Sequence, residues 1–360
     1  MMKNTIILFR CLICIALLLA LTVTAVGCNN SAQTTANTQP SNSKAVTSDS
    51  NVTDIEDNDS GNKDKLRVII SSDVHFRSNY SGYYNVPSPI RLQSWVNSII
   101  KEHETEPIDL LVIAGDTSLD YYYDTAKKEE VGTYAKGGVS DTKEFVDKYV
   151  SQLPEEIPVY ILPGNHECYS NEKWLELTGN NRQETFVLEN NLFIMLDTFS
   201  ENIGSNYNGN VDYSRVDVDY VKNQIEAHPE CNKVWLISHY FDHKNESAAF
   251  AELIKSEDKI EGLFSGHTHQ CTVISMGATY GNKAIAQTGH FADSWYTSYP
   301  QGDDDTVFAK LKRGFWGFRE LIISDEGAIS NYISVATKGA IWKERAITLE
   351  RKTFESLRYY

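Results

Sequence analysis

Residues 158–167 read PVYILPGNHE, and residues 262–269 read GLFSGHTH. In both stretches a short apolar run is followed by glycine and then by side chains that bind metals or protons. Such an apolar run is typical of a buried strand, and glycine lets the chain turn sharply as it leaves the strand. These two stretches therefore predict buried strands with polar residues placed at their carboxyl ends.

Short apolar runs of this kind alternate with amphipathic stretches from residue 65 onward. The predicted strands are Leu66–Ser71, Asp109–Ala114, Pro158–Leu162, Leu192–Leu196, Lys233–Ser238 and Gly262–Ser265. The predicted helices are Ser88–His103, Asp141–Leu153, Val218–His228 and Ser247–Lys255. Buried strands separated by helices predict a layered α/β domain. After these come the predicted strands Cys271–Met276, Lys283–Thr288, Phe318–Ile323 and Ala328–Val335, which indicate a strand-rich C-terminal part.

Five of the predicted strands end in Asp, Asn or His, at the edge where open α/β sheets place their sites. Seven of these side chains can bind metal: Asp73, His75, Asp116, Asn165, His239, His267 and His269. A single zinc ion takes about four ligands, whereas two ions that share one carboxylate need about seven. Nitrogen and oxygen donors without thiolate favour Mn, Fe or Zn. Two such ions hold a bridging hydroxide, which is the chemistry of phosphate ester hydrolysis.

The ordered series D-x-H, G-D, G-N-H-E, a lone H and G-H-x-H resembles the calcineurin-like metallophosphoesterase superfamily over about residues 66–270. The resemblance implies a four-layer β-sandwich flanked by helices over residues 65–270, which residues 271–360 complete or extend. It implies one metal on Asp73, His75, Asp116 and His269, and a second on Asp116, Asn165, His239 and His267. Asp116 is then the bridging ligand.

The resemblance also implies a catalytic role for His166, which faces the substrate and stabilises a phosphoryl oxygen or protonates the leaving group. Glu167 is a candidate orienting residue, and Asp120 resembles in position a carboxylate that pairs with this His in some relatives. His243, His290, Tyr121–Tyr123 and Asp303–Asp305 are weaker candidates for contacts with substrate or a cation.

The substrate stays open between three alternatives. We expect a phosphomonoesterase that acts on a phosphorylated small molecule or a cell-envelope substrate. A phosphodiesterase that acts on cell-wall or glycerophosphoryl substrates is the alternative among enzymes. A catalytically inactive surface-binding lipoprotein is the alternative of another class, although it would usually have lost a ligand or His166. His75 and Leu119 stand where purple acid phosphatases carry Gly and Tyr, which disfavours that branch.

The N-terminus has the layout of a secretory signal. Lys3 and Arg10 precede the apolar stretch Cys11–Val26, and residues 24–28 read TAVGC, which resembles a bacterial lipobox. We therefore expect residues 1–27 to be a lipoprotein signal peptide and Cys28 to carry lipid; an uncleaved anchor helix is the alternative. Either reading places the protein outside the cytoplasm, held at the outer face of the cytoplasmic membrane or another extracytoplasmic membrane surface.

Residues 28–64 predict a disordered polar tether. Twenty of the 36 residues from Asn29 to Asp64 are Ser, Thr, Asn or Gln, too polar to offset the entropy of ordering. The whole chain carries a net charge of −16, which argues against general nucleic-acid binding because phosphate backbones are bound by Lys and Arg. Three of the six cysteines, Cys168, Cys231 and Cys271, remain in the folded part, and nothing in their spacing requires a disulfide.

Overall fold

A computed structural model of the chain describes residues 65–76, 88–119, 140–167, 169–199, 213–292, 316–336 and 349–359. These residues form two six-stranded sheets with helices beside them. The signal sequence and tether predicted for residues 1–64 lie outside the described part.

The first sheet joins the two ends of the folded part of the chain. Its strands are β1 (Lys65–Ser71), β2 (Leu110–Ala114), β3 (Val159–Leu162), β10 (Gly317–Ser324), β11 (Gly327–Ala336) and β12 (Leu349–Tyr359). Their spatial order is β12-β11-β10-β1-β2-β3. β1, β2 and β3 run parallel, with Val68 opposite Leu110, while β10 pairs antiparallel with β1. The C-terminal strands therefore extend this sheet from the outer edge of β1.

The second sheet is formed by the middle of the chain. Its strands are β4 (Glu184–Leu188), β5 (Asn191–Leu196), β6 (Lys233–Ser238), β7 (Ile260–Ser265), β8 (Val273–Ser275) and β9 (Ala284–Gln287). They lie in the order β4-β5-β6-β7-β9-β8, and β5, β6, β7 and β9 are parallel. Parallel strands share one carboxyl edge, so the residues that follow β6 and β7 emerge side by side.

In the described ranges, five α-helices cover the outer faces of the two sheets. They are α1 (Ser88–Thr105), α2 (Asp141–Lys148), α3 (Asn171–Thr178), α4 (Val218–Ala227) and α5 (Ala248–Ser256). Ser140, Ser170, Asp217 and Ser247 each cap the helix that follows, because each side chain accepts a hydrogen bond from a backbone N–H of its first turn. Their positions explain why these four helices begin where they do.

Three apolar cores separate the layers. Val68 and Ile70 of β1 pack between the sheets with Trp235 and Phe264 of the second sheet. Ile69, which points to the opposite side because side chains alternate along a strand, packs in a second core with residues of α1, α2 and α3. A third core lies between the second sheet and the helices α4 and α5. The arrangement is helix, sheet, sheet, helix, and the predicted four-layer α/β sandwich is confirmed.

The structure adds elements that the sequence analysis missed and shortens one that it predicted. β4, β12 and α3 were not predicted. α2 ends at Lys148, before the predicted end at Leu153, and a short 3₁₀ helix over Val150–Gln152 follows it. Across the described ranges, no helix is long and apolar enough to cross a membrane.

Candidate metal centre

Five strand ends bring the predicted ligands together. Asp73 and His75 follow β1, Asp116 follows β2 and Asn165 follows β3. From the second sheet, His239 follows β6, and His267 and His269 follow β7. The sheets meet here directly, since the backbone N–H of His267 donates to Asp73 Oδ2 over 2.9 Å. All seven predicted ligands therefore lie around one end of the sandwich.

The first group of ligands is Asp73, His75 and His269. One donor atom of each lies within 4.8 Å of the others, a spacing that could hold a metal ion. Asp73 Oδ1 is 3.2 Å from His269 Nε2 and 3.7 Å from His75 Nε2. The other oxygen of Asp73, Oδ2, accepts hydrogen bonds from the Ser72 hydroxyl and from His267 N–H, which fixes the carboxylate and aims Oδ1 at the imidazoles.

The second group is Asp116, His239 and His267, and Asn165 completes it. Asn165 Oδ1 lies 3.1 Å from His239 Nε2 and 2.8 Å from His267 Nδ1. His239 Nδ1 lies 2.8 Å from the carbonyl oxygen of Ala114. A hydrogen bond from Nδ1–H to this carbonyl leaves Nε2 as the free donor atom of the ring, as is usual for histidines that bind metal.

Asp116 lies between the two groups. Its Oδ2 is 3.5 Å from His75 Nε2 in the first group and 3.2 Å from His239 Nε2 in the second. It also belongs to a third cluster of possible ligands, with His75 and His166, in which His166 Nε2 is 3.7 Å from Asp116 Oδ2. A carboxylate that faces both sets of imidazoles is in the position required of a bridging ligand.

Several ligands adopt strained backbone conformations. The φ angles are +53° at Asp73, +48° at His75, +52° at Asp116, +66° at His267 and +56° at His269. Residues other than glycine rarely occupy this left-handed region, and each such residue costs of order 1–3 kcal/mol that the surrounding structure must offset. Strain of this kind collects at functional sites.

Glu167 holds the loops after β2 and β3 together. Its buried carboxylate accepts hydrogen bonds from the backbone N–H groups of Asp116, Ser118 and Gly164 and from the Thr117 hydroxyl. Burial, together with the nearby charge of Asp116, raises the pKa of Glu167 to about 7. The predicted orienting role therefore has a concrete form, since Glu167 fixes the backbone that carries Asp116.

Close packing at this turn leaves no room for a side chain at Gly164. A Cβ atom there would lie 2.2 Å from Asp116 Oδ1 and 2.5 Å from Asp116 N. The glycine before Asn165 is therefore required by the approach of the β3 turn to Asp116.

Arg91 fixes the loop after β1 from the opposite side. It is fully buried on α1, and its guanidinium donates to the carbonyl oxygens of Val74, His75 (2.9 Å) and Phe291 (2.8 Å). The same side chain therefore ties the segment that carries His75 to the segment that follows β9. Sequence reasoning missed Arg91, because an arginine on an amphipathic helix is expected at the surface.

The electrostatics of the cluster favour bound cations. Burial by itself raises the pKa of Asp73, but the imidazoles of His269 and His75 outweigh burial and hold this pKa well below its usual value. Burial opposes the charged form of His239 as well, yet Asp116 outweighs it and raises the pKa of His239 to about 10. A proton on His239 thus supplies positive charge that the buried carboxylate of Asp116 needs, and metal ions can supply the same charge.

The donor set fits a pair of metal ions. Asp73 Oδ1 is buried and has no hydrogen-bond partner in the described part of the chain, which is costly for a carboxylate oxygen unless a cation balances it. The converging donors are imidazole nitrogens and carboxylate or amide oxygens, the mixture that suits Mn, Fe or Zn. The residues predicted as ligands therefore converge around Asp116, and their assignment to two ions stays a prediction.

The weaker candidates have different outcomes. His290 is fully buried and stacks on His269, with ring centroids 5.1 Å apart, so it lies behind a ligand rather than in contact with the surface. His243 packs near Tyr280, at 6.5 Å between ring centroids, and contacts none of the ligands. Asp120, Tyr121–Tyr123, Asp303–Asp305, Cys28 and Cys168 lie outside the described residues. Cys231 and Cys271 are buried, and no disulfide joins them.

Aromatic side chains next to the second group were also missed. Phe199 lies 5.7 Å from His239 and 6.3 Å from His267 between ring centroids, and Tyr240 lies 4.5 Å from His267. Tyr240 directly follows His239 in the sequence, so its place beside a ligand was a signal available in the sequence. Phe199 follows β5, which ends in none of the five motifs and gave no such signal.

A large cavity, of about 740 Å³, lies away from this centre. Its lining includes Arg182 and Asp197, which form a buried ion pair at 2.6 Å, and the first residues of α4. None of its described lining residues is a predicted ligand. Arg182 also donates to the carbonyl of Glu167, so the pair supports the turn after β3 from outside.

Comparison with known proteins places the chain in a family. Residues 66–271 match the sequence model of the calcineurin-like phosphoesterases. No curated protein matches the chain. One similar solved structure is described as GAP50, the anchor in the inner membrane complex of Plasmodium. It has 14% sequence identity and a TM-score of 0.41, and the match covers 81% of this chain and 90% of that one. Another solved structure, a crystal structure, has 13% sequence identity and a TM-score of 0.37, and the match covers 80% of this chain and 99% of that one. The family match spans more than half of the 360 residues, and the chain therefore belongs to the calcineurin-like phosphoesterases, hydrolases that act on phosphoric ester bonds.

Proposed function

We propose that the protein is a phosphomonoesterase with two metal ions, held at an extracytoplasmic membrane surface. The observation that carries the proposal is the position of Asp116, whose Oδ2 faces His75 Nε2 at 3.5 Å and His239 Nε2 at 3.2 Å. One buried carboxylate between two sets of imidazoles is the arrangement needed for two ions that share a ligand.

The two ions would be held as the family resemblance implies. The first set is Asp73, His75, Asp116 and His269, and the second is Asp116, Asn165, His239 and His267. A bound pair of ions supplies an activated water and positive charge for the phosphate. That charge lets a chain with a net charge of −16 bind an anionic substrate.

His166 is the proposed catalytic residue. Its backbone N–H donates to Asp116 Oδ1 over 3.1 Å, which fixes the main chain, and its ring lies 5.4 Å from that of His75. Burial lowers the pKa of His166 to about 4, so the ring is neutral at pH 7 and keeps one N–H donor. We propose that this N–H donates a hydrogen bond to a phosphoryl oxygen; protonation of the leaving-group oxygen, the alternative role, requires the imidazolium form of the ring.

The test is hydrolysis by the purified full-length protein after reconstitution with Mn, Fe or Zn. The substrates are p-nitrophenyl phosphate and bis-p-nitrophenyl phosphate, and Asp116→Asn is the control. We expect faster hydrolysis of the monoester and loss of turnover in the variant. Faster hydrolysis of the diester would make the enzyme a phosphodiesterase.

An inactive protein would give a different pattern. Two bound metals without turnover of either ester would favour the surface-binding alternative. His166→Ala separates the proposed roles further, because it should lower turnover by about 100-fold or more while metal stoichiometry stays at two. Loss of metal in His166→Ala would instead make His166 a ligand.

The location is proposed from the N-terminal sequence. Lys3 and Arg10 before an apolar stretch, and AVGC at residues 25–28, support export and lipidation of Cys28. Cells fed a labelled fatty acid should label the wild-type protein and leave Cys28→Ser unlabelled. Label retained in Cys28→Ser would refute lipidation at this residue.

A further inference from the structure

The metal centre is partly exposed at the two ligands that follow β7. Asp73, His75, Asp116, Asn165 and His239 are buried, whereas His267 and His269 are partly exposed. Among the described ligands, an ester that comes from solvent can therefore contact the rings of His267 and His269. The described side chains beside these two rings determine what the organic part of the ester touches.

The neighbours of these two rings differ in chemistry. Next to His269 lies His290, which is fully buried and offers no surface. Next to His267 lies Tyr240, a half-buried ring at 4.5 Å between centroids and 41° between planes. Among the described residues, Tyr240 is thus the aromatic side chain that is partly exposed and also in contact with a partly exposed ligand.

Tyr240 is held firmly in this place. Its carbonyl oxygen accepts hydrogen bonds from the hydroxyls of Thr198 and Ser238. Its ring makes a T-shaped contact with the ring of Tyr213, with 5.5 Å between the ring centroids, and the Tyr213 hydroxyl donates a hydrogen bond to the carboxylate of Glu246. A ring that packs against Tyr213 and His267 loses little conformational entropy when a ligand stacks on it, which favours binding.

We propose that Tyr240 forms a subsite for the organic group of the ester and selects groups with a flat aromatic face. This inference rests on the proposed phosphoesterase function and specifies its substrate class. Aromatic rings prefer offset or edge-to-face contact with other rings, and such pairs gain free energy beyond that of simple burial. Tyr240 is a specificity-determining residue in this assignment, and it neither binds metal nor transfers protons.

The test uses two phosphonates that the enzyme cannot hydrolyse. Calorimetry on the Mn-loaded full-length protein measures the Kd of phenylphosphonate and of methylphosphonate, which share the anionic group and differ in the ring. We expect phenylphosphonate to bind about three- to tenfold more tightly, the range for one aromatic contact. Equal affinities would overturn the inference and leave the proposed function intact, whereas failure of both to bind would contradict both proposals.

Variants then assign the preference to one residue. Tyr240→Leu keeps an apolar side chain but removes the flat face, and should reduce the preference to about one. Tyr240→Phe should retain it. Tyr220→Ala is the matched control, since Tyr220 is a half-buried tyrosine of α4 whose hydroxyl pairs with Thr185, away from the ligands. A preference that survives in Tyr240→Leu, or disappears in Tyr220→Ala, would refute the assignment.

The same variants give a kinetic readout. Relative kcat/KM for phenyl phosphate over glycerol 2-phosphate should fall in Tyr240→Leu by the factor seen in calorimetry, because comparison between variants cancels the reactivity of the two esters. The loss should be in KM if the contact forms equally in ground and transition states. A ratio unchanged by Tyr240→Leu would again count against the subsite.

Discussion

Replacing Arg91 by Met should weaken metal binding by a mechanism that involves no ligand. Arg91 donates to the carbonyls of Val74, His75 and Phe291, and it is fully buried. Methionine fills much of the same volume but has no donor. The segment that carries His75, with φ at +48°, then loses the contacts that hold its strained conformation.

The magnitude follows from those three hydrogen bonds. Each buried carbonyl left without a donor costs about 1–3 kcal/mol, and water that enters the site recovers part of it. We expect a loss of about 3–5 kcal/mol in the free energy of unfolding, the upper range for single substitutions. If the backbone of His75 relaxes to an unstrained conformation, the strain of about 1–3 kcal/mol must be restored on metal binding, which would weaken binding by roughly 5- to 150-fold.

Arg67→Met is the matched control. Arg67 is also buried, lies towards the other end of β1, and is paired with Glu102 at 2.5 Å and Glu320 at 2.8 Å. Its removal leaves buried carboxylates unpaired and should cost a similar 3–5 kcal/mol or so. Denaturant unfolding compares stability, and Mn titration by calorimetry compares metal affinity. The two variants should match in stability and differ in metal affinity; equal metal affinities would refute a positioning role for Arg91.

Three further predictions concern the centre itself. Gly115→Ala would place a Cβ atom 2.5 Å from His239 Nδ1 at φ +83°, whereas the Cβ atom of Gly179→Ala would meet no atom within 4 Å at φ +80°. Both variants have about the same backbone strain, so only Gly115→Ala should lose metal and activity. Equal effects of the two variants in metal titrations would contradict the steric argument. In Glu167→Gln an amide N–H₂ faces backbone N–H or hydroxyl groups that donated hydrogen bonds to the carboxylate. The free energy of unfolding, measured with denaturant, should therefore fall by about 1–3 kcal/mol. An unchanged unfolding midpoint would refute this prediction. Mn at about 100 times its Kd should stabilise the protein by about 2.7 kcal/mol per site. The melting temperature should therefore rise on addition of Mn and fall again on addition of a chelator. Asp116→Asn should show no such rise.

Most of the ligand shell could be predicted because its signals are local. Each strand that carries ligands is a continuous apolar run, and each ligand follows within a few residues of its end, as Asp116 follows β2. Parallel pairing then brings these ends to one edge within each sheet, and packing of the two sheets brings the two edges together. The layered α/β class could be predicted in the same way from apolar strands and amphipathic helices, whereas the four-layer sandwich was implied by the family resemblance.

What the sequence did not predict depends on contacts between distant residues. Arg91 lies 16 residues from His75 and 200 from Phe291, and no local pattern indicates that its guanidinium faces inward. β12 reads LERKTFESLRY, a polar sequence that becomes a strand because it pairs with β11. The aromatic contact of Phe199 with His239 likewise depends on how β5 and β6 lie side by side.

The strained backbone and the buried charges of the centre are parts of one arrangement. Left-handed φ angles at Asp73, His75 and Asp116 turn their side chains inward within very few residues of a strand end, so that donors from both sheets converge. Convergence puts carboxylates where water cannot solvate them, and the loops that carry them are fixed by contacts to groups that bind no metal. Glu167 accepts four hydrogen bonds and Arg91 donates three, and each joins two loops that carry or flank ligands. Both are charged side chains that gain nothing from burial by themselves; because the loops that they join carry or flank ligands, they are assigned to the metal centre, whereas the equally buried Arg67 is not.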